Sequence, residues 1–102
     1  MIEFSLTGDY WVATHKGITI ELSSKCITLI NVNHSTEAVI RFPKKIQDVA
    51  DLSFFHSKST ARCAIILPVE LGQLELADIG MSLVLRQFDT AGAQVQTVTA
   101  HI

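Results

Sequence analysis

Alternation of apolar and polar residues constrains this chain more than any other feature of its sequence. Ile18, Ile20 and Leu22 alternate with polar neighbours, as expected of a strand with one buried and one solvated face. The alternation recurs over residues 81–86, whereas residues 26–32 are apolar on both faces, which is typical of a central strand. The pattern predicts a chain built mainly of β-strands.

Turn residues separate these apolar runs. Gly8 and Gly17 divide residues 1–22 into three short runs, and glycine supplies the positive φ that tight hairpins need. Residues 89–93 form a similar five-residue link near the end of the chain. Successive hairpins imply antiparallel pairing, because parallel neighbours need crossover connections of about a dozen residues or more.

Two segments depart from a plain strand pattern. After Pro43, apolar residues recur at helical spacing and predict one short helix near residues 46–55. Residues 68–80 fit either a strand or a helix, and we favour the strand. The alternative is an α+β fold with a second helix near residues 69–78.

The composition supports a folded domain without metal or disulfide support. The chain has 102 residues, of which 48% are hydrophobic and 18% charged, enough to form one core. We therefore expect a single β-rich domain over residues 1–102, an antiparallel sandwich or small barrel of about eight strands. The predicted core consists of Phe4, Ile18, Ile20, Leu22, Ile27, Leu29, Ile30, Val39, Phe42, Ile65, Leu67, Leu83 and Leu85.

Two cysteines and the absence of targeting patterns suggest a compartment. Cys26 and Cys63 lie in β-type apolar runs, where buried, reduced thiols are the ordinary case in a reducing compartment. No basic leader precedes the first apolar run, and no stretch has the roughly 18 apolar residues of a membrane span. The expectation is a cytoplasmic protein that does not bind membranes.

Motifs of known chemistry are missing from the sequence. It contains no Gly-rich phosphate loop, no G-x-S-x-G elbow and no C-x-x-C pair. The four histidines are not spaced for shared ligation of a metal; they are His15, His34, His56 and His101. We expect no catalytic residue, no metal and no cofactor.

Charge is distributed unevenly along the chain. Residues 41–62 hold five of the eight basic residues against two acidic ones, a net charge of +3 in a chain of net charge −2. Aromatic residues occur in the same segment, and irregular segments on a rigid scaffold often carry binding function. The predicted partner-binding residues are Arg41, Lys44, Lys45, Phe54, Phe55, Lys58 and Arg62.

These observations favour a non-enzymatic interaction module that binds a protein partner or itself, with a homodimer expected. Open sheets have edge strands that self-association commonly covers. One alternative is a small barrel that binds a ligand or single-stranded nucleic acid through residues 41–62, although the chain is acidic overall. A small enzyme without a recognisable motif is the second alternative.

In the pair Tyr10 and Trp11, one ring should face inward and the other outward.

Overall fold

The fold is entirely antiparallel β in a computed structural model that describes residues 2–57 and 61–102. The described residues form ten strands, more than the predicted number of about eight. Their bounds are β1 Ser5–Thr7, β2 Tyr10–His15, β3 Ile18–Leu22, β4 Cys26–Ile30, β5 Thr36–Arg41, β6 Ser53–Ser57, β7 Arg62–Ile66, β8 Gln73–Ile79, β9 Ser82–Phe88 and β10 Gln94–His101.

The strands form two sheets that follow chain order. Sheet A has the order β1-β2-β3-β4-β5, and sheet B has the order β10-β9-β8-β7-β6. Every pair is antiparallel, and the two sheets pack face to face as a β sandwich. Among the described strands, no pairing joins β1 to β6 or β5 to β10, so the barrel is not closed. The prediction of a mainly β antiparallel fold is confirmed.

The helix predicted near residues 46–55 is wrong in extent. A single 3₁₀ turn, Val49–Asp51, occupies its middle, and the Asp48 carboxylate accepts a hydrogen bond from Ala50 N there. The chain then extends into β6, which pairs with β7. Tertiary pairing overrides the helical spacing, because the extended form pairs with β7 and packs Phe54 inside the sandwich against Phe4 and Trp11.

The second helix of the α+β alternative is also absent from the described residues. A 3₁₀ turn, Val69–Leu71, precedes β8, and β8 fills the rest of the segment. Leu74 and Leu76 are fully buried on one face of that strand, which is the alternation of a strand. The favoured strand prediction for residues 68–80 is confirmed.

The core lies between the inner faces of the two sheets. Nine of the predicted core residues are buried there, and cross-strand register explains two others that are only half-buried. Val39 pairs with Thr28, and Ile30 pairs with Thr36 across a register shift, on the outer side of sheet A. Phe4 and Phe42 pack at the margin of the core. Buried residues that the prediction missed include Ile2, Ile40, Ile46, Leu74 and Leu76.

The two sides of the sandwich are closed in different ways. On one side, β5 lies beside β10, and the Glu37 carboxylate accepts a hydrogen bond from His101 N at 2.9 Å. On the other side, aromatic rings fill the space between the sheets: the ring centroids of Phe4 and Trp11 lie 4.9 Å and 4.7 Å from that of Phe54. The side formed by β1 and β6 therefore keeps unpaired strand edges.

Candidate functional site

The predicted binding residues do not gather on one surface. Arg41 pairs with Cys26 on the outer face of sheet A, whereas Arg62 pairs with Ala77 on the outer face of sheet B. Lys44 and Lys45 are exposed on the connection between the sheets, beside buried Ile46. Lys58 lies outside the described residues. Arg41 and Arg62 thus point to opposite sides of the sandwich.

The two phenylalanines of β6 have different surroundings. Phe54 pairs with buried Ile65, faces the interior and contacts the rings of Phe4 and Trp11. Phe55 pairs with Ala64 on the outer face of sheet B, and 60% of it is exposed. Of the two predicted apolar anchors, Phe55 is the one that a partner can reach.

Tyr10 and Trp11 follow the same rule of opposite faces. Trp11 points inward, and its indole Nε1 donates a hydrogen bond to the carbonyl oxygen of Val49. Tyr10 lies on the opposite side of the strand and is half exposed. The structure therefore confirms that one ring faces inward and the other outward.

Further apolar side chains lie on the same outer face of sheet B as Phe55. Ile66 is its diagonal neighbour on β7, and Phe88 follows in the same cross-strand row, separated from Ile66 by Gln73. Diagonal neighbours are within reach of aromatic side chains. Val69 stands beside them on its 3₁₀ turn and is 82% exposed. We call this group, Phe55, Ile66, Val69 and Phe88, the Phe55 surface.

An open groove of about 440 Å³ runs along one end of the Phe55 surface. Its walls include Ile66, Val69 and Phe88, and Asp89 and Thr90 lie at its polar end. The Asp89 carboxylate is already engaged, since it accepts hydrogen bonds from Ala91 N and Ala93 N at 2.9 Å. The groove is therefore mainly an apolar extension of the Phe55 surface.

A charged cluster borders the Phe55 surface. The Glu75 carboxylate lies 3.3 Å from the guanidinium of Arg86 and 3.9 Å from that of Arg62. Two arginines share one carboxylate, so the cluster carries one positive charge in excess. Arginine and aromatic residues are the types that most often carry interface energy. Sequence reasoning found Phe55 and Arg62 but missed Arg86, because only the strand register shows that Arg86 shares their face.

A second polar cluster connects the two sheets at the end formed by the β2–β3 and β8–β9 hairpins. Asp78 Oδ2 lies 2.8 Å from His15 Nε2 and 2.7 Å from Lys16 Nζ. These hydrogen bonds, that of Lys16 first, hold the pKa of Asp78 below its ordinary value. Lys16 and Gly17 both have positive φ, as a two-residue type I′ hairpin requires. This cluster links β2 and the β2–β3 hairpin to β8, and we assign it a structural role.

The two cysteines differ in burial. Burial raises the pKa of the Cys63 thiol to about 11, so Cys63 stays protonated and unreactive near neutral pH. Cys26 is half-buried beside Ser23 and Thr28, and both cysteines are free. Within residues 2–57 and 61–102, no group of three His, Cys, Asp or Glu side chains is placed to hold a metal ion.

Comparison with protein-family models, curated proteins and solved structures finds no match to this chain. Within residues 2–57 and 61–102, no helix has the length and apolar character needed to cross a membrane.

Proposed function

We propose that this protein is a non-enzymatic interaction module that associates with a second copy of itself through the side of sheet B that carries Phe55. The observation that carries the proposal is the exposure of Phe55, at 60%, next to the further apolar side chains of the Phe55 surface. Burying a phenylalanine side chain contributes about 1.5–3 kcal/mol. Self-association would recover this free energy, which the monomer leaves unused.

The surrounding residues support an interface at this place. Arg62 and Arg86 lie on the same outer face of sheet B as Phe55, around the Glu75 carboxylate. The outer face of sheet A is different, since Thr14, Thr19, Glu21 and Thr28 lie at its centre and the neighbouring Ile30 and Val39 are half-buried. Sheet B therefore has the composition of an interface, with apolar and aromatic residues next to arginine.

The alternative of a nucleic-acid site receives less support from the geometry. Such a site needs basic residues and stacking aromatics along one groove. Arg41 and Arg62 lie on opposite faces, and the ring of Phe54 packs inside the sandwich. The alternative of an enzyme would need an activated nucleophile or a polar pair in a cleft, and Cys63 is protonated and buried.

Analytical ultracentrifugation tests the proposal. At concentrations from micromolar to millimolar, the wild-type protein should shift from the mass of one 11.2 kDa chain to twice that mass. Phe55→Ser should weaken this association by about tenfold or more, since each copy loses an apolar contact worth more than 1.4 kcal/mol.

Tyr10→Ser is the matched control, because Tyr10 is a half-exposed aromatic residue on the outer face of the other sheet. Its dimerisation should equal that of the wild type. A wild-type protein that stays monomeric at millimolar concentration overturns the proposal, as does equal weakening by the two substitutions.

A further inference from the structure

The edge strands of the two sheets differ in how they are protected. β1 has only three residues, and β5 carries Glu37 and Arg41; short length and charge are two common ways to block edge pairing. β10 lies beside β5, and its last N–H group is occupied by Glu37. β6 has no such protection among the described residues: Ser53–Ser57 contains no proline and no Asp, Glu, Lys or Arg.

Along an antiparallel strand, the backbone N–H and C=O groups of successive residues point to alternate sides. This alternation in sheet B shows which backbone groups of β6 lie unpaired at the sheet edge. Asp78 N donates to Ala61 O, so odd-numbered residues of β7 direct their backbone groups towards β8. Even-numbered residues of β7 therefore bond to β6, where they pair with odd-numbered residues such as Phe55. The N–H and C=O groups of Phe54 and His56 consequently point away from the sheet. No hydrogen bond between described residues uses them.

We propose that β6 of one copy pairs antiparallel with β6 of a second copy, about a two-fold axis at Phe55. This inference rests on the proposed self-association and specifies its geometry: Phe55 is the member of the Phe55 surface that meets the second copy, and Val69 and Phe88 lie outside the paired strands. In this register Phe54 pairs with His56 of the second copy, and the reverse pair follows by symmetry. The two pairs form four backbone hydrogen bonds, which use every outward group of Phe54 and His56 in both strands.

The side chains fit the same register. The two Phe55 residues form the central non-hydrogen-bonded pair, whose Cα atoms lie about 4.5 Å apart in antiparallel sheets, so that their rings meet on the outer face. Phe54 meets His56 on the inner side, and Ser53 meets Ser57 at the ends. No two like charges face each other in this pairing. The result is one continuous ten-stranded sheet with an isologous interface.

Proline at position 56 tests the strand pairing. His56→Pro removes an outward N–H that the β6–β7 ladder does not use, and proline is tolerated on edge strands in this orientation. Loss of this N–H group from both copies removes two of the four backbone hydrogen bonds between the paired strands. The dimer should therefore weaken by about 10- to 100-fold. His56→Thr keeps the N–H and is the matched control, with dimerisation expected within about threefold of the wild type. Circular dichroism should show the same β fold for both variants.

A cross-link tests the register. In a Cys26→Ser background, Phe55→Cys should give a disulfide-linked dimer on mild oxidation at millimolar concentration, where the dimer weakened by loss of the ring still forms, because a Cα separation of about 4.5 Å lies within disulfide range. Thr99→Cys, on the exposed outer side of β10, should remain monomeric on denaturing gels. A wild-type dimer that neither responds to His56→Pro nor cross-links through Phe55→Cys overturns the strand pairing but leaves the proposed function standing. A monomeric wild-type protein overturns both.

Discussion

Gly72 offers the sharpest test of the packing in sheet B. It precedes β8 with φ of 79° and ψ of −128°, a conformation that is essentially restricted to glycine. A Cβ atom added there would lie 2.0 Å from the carbonyl oxygen of Phe88 and 2.9 Å from the carbonyl carbon of Asp89. Because both atoms belong to the backbone, no side-chain rotation can relieve the overlap.

The expected cost of Gly72→Ala has two parts. The unfavourable backbone conformation costs about 1–3 kcal/mol, and displacing the Phe88 backbone costs about 1–3 kcal/mol more, as for other overpacked sites. We expect the free energy of unfolding to fall by about 4 kcal/mol. Gly80 is the matched control: its φ is 64°, and nothing lies within 4 Å of an added Cβ. Gly80→Ala should cost only about 1–2 kcal/mol.

Urea unfolding monitored through the single tryptophan, Trp11, measures both values. Trp11 contacts Phe54 inside the sandwich, so its fluorescence reports on packing between the sheets. The reasoning is refuted if the two variants lose the same free energy of unfolding within about half a kcal/mol, since the overlap with the backbone of Phe88 and Asp89 exists at Gly72 alone of the two positions.

Three further outcomes are expected. Leu29→Ala, at a fully buried position, should lower the free energy of unfolding by about 2–5 kcal/mol; a loss below about half a kcal/mol would contradict the inward orientation of this side chain, because even a collapsed cavity leaves the transfer free energy of the deleted atoms lost. Because the pKa of Asp78 is lower in the folded state than in the unfolded state, the ionised carboxylate stabilises the fold at pH values above its ordinary pKa of 3.8. This stabilisation is lost as the pH falls through the pKa of the folded state. Asp78→Asn should thus be less stable at neutral pH and flatter in its acid dependence, which urea titrations across pH can check. In a Cys26→Ser background, Cys63 should react with a thiol reagent at neutral pH only after unfolding; rapid labelling of the folded protein would contradict its burial.

Local sequence determined most of the strands. The alternation in residues 18–22 and the glycines at positions 8 and 17 predict adjacent antiparallel strands, because side-chain direction and turn conformation depend on near neighbours alone. β6 was the exception. Residues 46–55 satisfy helical spacing, and only pairing with β7 selects the extended form.

Tertiary structure decided the candidate site. The sequence placed Arg41, Phe54, Phe55 and Arg62 in one segment, but the strand register sends Arg41 to one outer face, Phe54 to the interior and Phe55 with Arg62 to the other face. Arg86 is distant in the sequence, but the β7–β8 and β8–β9 pairings bring it to the same face as Phe55 and Arg62. The partners of a side chain across a sheet depend on long-range register, whereas the tendency to form a strand depends on local alternation. Local alternation therefore predicts the β fold, and long-range register determines which residues share a surface.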